Sequence, residues 1–105
     1  MSRHDDPAIM AALDHAWDQD EGFLGRLRGG WFSEPEGSAY LRLLESIEIG
    51  EGERLHSDFV RLVWFAPIVI EWHSGLAVER GADKLLVQKV SDAIRERLTV
   101  LLGTP

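Results

Sequence analysis

His56-Ser57-Asp58 sets side by side the three residue types of a hydrolase triad. Catalysis needs those side chains to converge, and consecutive residues on a helix project about 100° apart. The run therefore reads as a helix start, with Ser57 or Asp58 as the N-cap. Glu71-Trp72-His73 is a better candidate for chemistry, because an acid and a histidine at the end of an apolar helix could act as base and acid toward a ligand. It competes with a structural account: Glu71 pairs with a cation of the last helix, and His73, beside Ser74-Gly75, sits at a helix C-terminus, where positive charge suits the dipole. Asp14, Asp18 and Glu21 recur at helical spacing and could meet a hard cation, or simply form a solvated helix surface. The four histidines, at 4, 15, 56 and 73, never fall three or four apart, as two ligands on one helical face must. Without cysteine there is no thiolate and no sulfur-ligated metal. Neither a metal nor a cofactor is expected. The glycine-rich run from Gly22 to Gly30 has no preceding strand and no Gly-Lys-Ser/Thr ending, so it reads as helix punctuation and not as a phosphate cradle.

Helices must position these residues. Asp6-Pro7 opens the first, with Asp as cap and Pro where its missing amide costs nothing, and Ile9, Leu13, Ala16 and Trp17 follow at helical spacing. Gly22 can end it, and Phe23–Arg28 adds a short extra turn before Gly29-Gly30. Ser33 with Glu36 fits a capping box for a helix carrying Tyr40, Leu43, Leu44 and Ile47. From Phe59 to Trp72 only Arg61 and Glu71 are charged, which predicts a central helix buried nearly all round and kinked or divided by Pro67. The competing assignment is a strand pair, 62–65 and 68–72. The last helix starts near Asp83, buries Leu86, Val90, Ala93 or Ile94, and Leu101, and ends at Gly103. The expected fold is all-α, over residues 1–105 as one domain. It is an irregular bundle of four principal helices plus a short extra helical turn around a buried, proline-kinked central helix.

The chain has 105 residues, 45% hydrophobic and 28% charged, with a net charge of −7. Residues 1–53 carry twelve acids and four bases, a balance of −8, and residues 54–105 carry six acids and seven bases, a balance of +1. Nucleic-acid binding draws on neutralised phosphates, so an acidic first half argues against it. A basic protein partner is favoured instead. The N-terminus lacks the apolar stretch of a signal peptide, and the longest apolar run is half of the ~20 residues that a membrane span needs. These features predict a soluble, cytoplasmic protein that engages no membrane.

Four tryptophans should supply much of the core. Trp31-Phe32 lies off any periodic face and is flanked by charge, which is the anatomy of a binding hot spot; the competing account has the pair plugging one end of the bundle. The expected function is a non-enzymatic protein-binding domain whose contacts are Asp14, Asp18, Trp31, Phe32, Glu34 and Glu36. In size, charge and class, though in no motif, the chain resembles the immunity proteins that neutralise bacterial toxins, particularly nucleases with basic active sites. The resemblance implies an antagonist whose carboxylates meet Lys or Arg on the toxin. A second expectation is a ligand-binding protein or enzyme with a pocket near Pro67, lined by Trp64, Phe65 and Trp72 and served by Glu71 and His73. A third is a homodimer or other homo-oligomer formed through an apolar face.

Overall fold

The computed structural model describes residues 2–105. Six helices follow in order: α1 (Pro7–His15), α2 (Phe23–Arg28), α3 (Glu34–Glu45), α4 (Ser57–Val63), α5 (Ala66–Glu79) and α6 (Lys84–Leu102). Two short segments, β1 (Ser2–Arg3) and β2 (Ile47–Glu48), pair in parallel with Ser2 opposite Ile47. The molecule is an all-α bundle with that small clasp at one edge. No helix among the described residues is long and apolar enough to cross a membrane.

The starts of α1, α3 and α6 follow from local chemistry. The Asp6 carboxylate accepts the Ala8 amide at 2.8 Å, Ser33 Oγ accepts that of Glu36 at 3.3 Å, and the Asp83 carboxylate accepts those of Leu85 and Leu86. Each satisfies donors that the first helical turn leaves without partners. The start of α4 differs from expectation: its cap is His56, whose Nδ1 accepts the Asp58 amide at 3.1 Å, and neither Ser57 nor Asp58 fills that place.

The apolar segment is helical and not a strand pair, but Pro67 divides it. α4 stops at Val63, Trp64-Phe65 makes the corner, and Pro67 falls in the first turn of α5, where its lost amide removes no helical hydrogen bond. α5 then runs through Ser74-Gly75 to Glu79. The chain turns at Gly81, whose φ of +103° suits glycine. His73 is therefore inside a helix and not at its C-terminus. Burial of the segment is one-sided: Phe59, Val63, Ala66, Val69 and Ile70 face the core, while Trp64 and Trp72 face out.

The core joins Leu13 of α1, Leu24 and Leu27 of α2, Leu44 of α3, Phe59 of α4, and Ile94 and Leu98 of α6. Ile47, expected on the α3 helix, is buried from β2 instead. On α6 the inward positions include Val87, Val90 and Ile94, one residue out of register with the expected Leu86, which is exposed. Arg97 of α6 reaches across to α3 and β2, donating to the carbonyls of Leu44 at 3.2 Å and Ile47 at 3.0 Å. A guanidinium thus satisfies acceptors that the end of α3 leaves open. Tyr40 is buried with no hydrogen-bond partner for its hydroxyl among the described residues, and burial pushes its phenol well above the usual range.

Candidate functional site

Three of the four tryptophans lie outside the core: Trp31, Trp64 and Trp72 are 59%, 52% and 67% exposed. Tryptophan carries the largest apolar area of any side chain, so three on the surface leave a large apolar area in contact with water. They form a continuous surface. Phe65 is its hub, 5.1 Å from Trp64 and 5.7 Å from Trp72 between ring centroids, with the Trp17 ring stacked 6.3 Å away. Trp17 is fixed from below, because its indole N–H donates to the Leu62 carbonyl at 2.8 Å. One hollow on this surface is walled by Trp17, Trp64, Phe65, Asp14 and Arg28. A second, sharing Trp17 and Arg28, extends over α2 to Trp31.

The far edge is held by α5. Four residues after Trp72 comes the exposed Leu76, and four after that Arg80, so the three follow one helical stripe. Arg80 lies over the Trp31 ring at 5.4 Å and donates to the Gly29 carbonyl at 2.7 Å. The cation fixes an otherwise free indole against α5. Gly30, at φ +87°, lets the chain turn beside Leu76, where a Cβ would come within 2.8 Å of a Leu76 methyl.

The six expected contact residues do not gather into one acidic site. Trp31 and Asp14 belong to the aromatic face. Phe32 is half-buried, its ring 6.1 Å from that of Phe23 in the core. Glu36 is bound by both oxygens to Arg26, at 2.9 and 2.7 Å, and Glu34 accepts the Ser38 hydroxyl. Asp18 lies beyond the end of α1, in a turn where its carboxylate accepts the amides of Asp20 and Glu21, both at 2.9 Å. Those two bonds hold its pKa below the ordinary aspartate range. The stabilisation is present above the unfolded pKa and lost as pH falls through the folded one. With Asp18 off the helix, the stripe of Asp14, Asp18 and Glu21 is broken. No group of three or more His, Asp or Glu among the described residues could hold a metal ion.

The five residues expected around Pro67 divide between two surfaces. Trp64, Phe65 and Trp72 belong to the aromatic cluster. Glu71 lines a groove between α5 and α6 with Lys84 and Arg95, and makes no ion pair there among the described residues. His73, two positions along the same helix, projects about 200° from Glu71, so acid and histidine do not converge. Leu76, Arg80 and Arg28, which the sequence did not single out, complete the aromatic surface together with Trp17, which it placed on the buried face of the first helix. The Trp72, Leu76, Arg80 spacing carries that signal, masked by the expectation of a helix C-terminus at His73.

Compared with family models, curated proteins and solved structures, the chain finds no match in any of them.

Proposed function

We propose that this chain is a protein-binding domain whose docking surface is the aromatic face of Trp17, Trp31, Trp64, Phe65 and Trp72. The observation that carries the proposal is the exposure of three tryptophans on one continuous surface. Apolar patches above a few hundred Å² are rare on solitary soluble proteins, and tryptophan with arginine is the usual composition of an interface hot spot. Trp72 stands on α5 and the other four on the connections between helices, where the contacts of Trp17 and Trp31 limit the freedom lost on docking.

The test is a photo-reactive phenylalanine analogue at position 72, compared with one at position 89 on the exposed side of α6, each irradiated in the native host. A discrete protein adduct at 72 and none at 89 is expected. No adduct at 72, or equal adducts at both, would overturn the proposal.

A second proposal, the antagonist of a basic toxin, draws on a different surface. Glu45, Glu48 and Glu51 are exposed around β2, and none has an ion pair among the described residues, so a basic partner would be steered to that end. A basic protein cross-linked from position 48 and released at raised salt would support it. Adducts confined to position 72 would remove it.

A further inference from the structure

We infer that the aromatic face is covered by a second copy of this chain, related by a two-fold axis through the hollow that Trp17, Trp64 and Phe65 wall. The inference rests on the docking surface proposed above and names its occupant.

The charges in the hollow suit a copy better than a partner of single sign. Three ionic side chains line it: Asp14, Arg28 and Arg61. Arg61 is already engaged by Asp58 at 2.7 Å. Asp14 and Arg28 have no ion-pair partner among the described residues, and they carry opposite signs. A two-fold axis brings each surface against itself, so what one residue meets is a residue of the same face. One free acid and one free base in the same apolar hollow answer that demand: Arg28 of one copy meets Asp14 of the other, and the pair recurs on the opposite side of the axis. A partner of single sign, whether basic or acidic, would leave one of the two facing a like charge. Elsewhere each copy carries a net excess of acid, on a chain of −7, and two copies repel over most orientations. This hollow offers two cross pairs where they approach.

The area is also of the right order. Three indoles at half exposure or more supply roughly 350 Å² of apolar surface per copy, taking about 200 Å² for a buried aromatic side chain. That is a little under half of the ~800 Å² that each partner of a standard interface buries. Phe65, Leu76 and the stems of Arg28 and Arg61 extend it.

Sedimentation of the purified full chain tests this without a known ligand. The wild-type chain is expected to form a dimer in the micromolar range. Asp14→Arg and Arg28→Asp should each weaken it about tenfold or more, because each variant alone sets like charges against one another across the axis. An equimolar mixture of the two variants should recover the dimer, since each then supplies the charge that the other lacks at both cross pairs. Misfolding of either variant cannot produce that recovery. A mixture that associates no better than the separate variants would overturn the two-fold arrangement, as would a wild-type chain that stays monomeric at high concentration. A discrete adduct at position 72 to a different protein, with a monomeric chain, would overturn this inference and leave the docking surface standing.

Discussion

Replacing Gly25 by alanine should destabilise the fold by about 3 kcal/mol, although alanine is the better helix former by about 1 kcal/mol. α2 passes so close to the turn after α1 that the Leu24 and Gly25 amides both donate to the Ala16 carbonyl, at 2.9 and 3.1 Å. A Cβ on Gly25 would stand 2.1 Å from the Asp18 carbonyl oxygen and 2.5 Å from that of Trp17. Both obstacles are backbone and cannot rotate aside. Relief requires α2 to lift from α1, which would break the two amide bonds and carry Arg28 and the Trp31 turn away from the aromatic face. Denaturant unfolding measures the loss, and a variant as stable as the wild type would show that the two segments do not cross this closely. The same substitution should weaken whatever docks on the face, even though Gly25 is buried beneath it.

His4→Ala should cost about 3 kcal/mol, a core-sized loss from a residue near the chain terminus. His4 is 2% exposed, with its ring edge-on to Phe59 at 5.0 Å between centroids. Its Nε2 accepts the amide of His56 at 2.9 Å, while its buried Nδ1 finds no hydrogen-bond partner among the described residues. One side chain thus ties the segment after β1 to the cap and core face of α4. Alanine leaves both a void and a half-buried amide without its acceptor. His4→Phe fills the void and not the acceptor site, so it should recover part of the loss and leave about 1–2 kcal/mol. Equal stability of the wild-type and alanine chains in urea would contradict the contact.

The legible parts of the fold were those decided within a few residues of chain. Asp6-Pro7, Ser33 with Glu36, and Asp83 begin helices because a side-chain oxygen reaches an amide two or three residues on, whatever the rest of the molecule does. Glu36 shows where that logic stops. It sits where a capping box needs it, yet its carboxylate turns to Arg26, a partner set by the packing of α2 on α3. Pro67 was legible as an interruption, but whether a proline kinks a helix or begins a new one depends on whether the chain can turn a corner at the preceding residues. The tryptophans were the least legible. Hydrophobicity places Trp64 and Trp72 in the core, and only the corner between α4 and α5, with the choice of which face of α5 meets α2 and α6, turns them outward. Asp14 and Arg28 could not be paired with one hollow from spacing alone, since fourteen positions and the turn that ends at Gly22 separate them.

Unfolding of Trp72→Ser in urea, set against the wild-type chain at a concentration where both are monomeric, measures most directly whether the tryptophans serve a partner instead of the core. An outward Trp72, touching the cluster only edge-on at Phe65, should cost about 1 kcal/mol or less when removed. A loss of about 3–5 kcal/mol, the cost of emptying a core tryptophan site, would return Trp72 to the interior and contradict the docking surface.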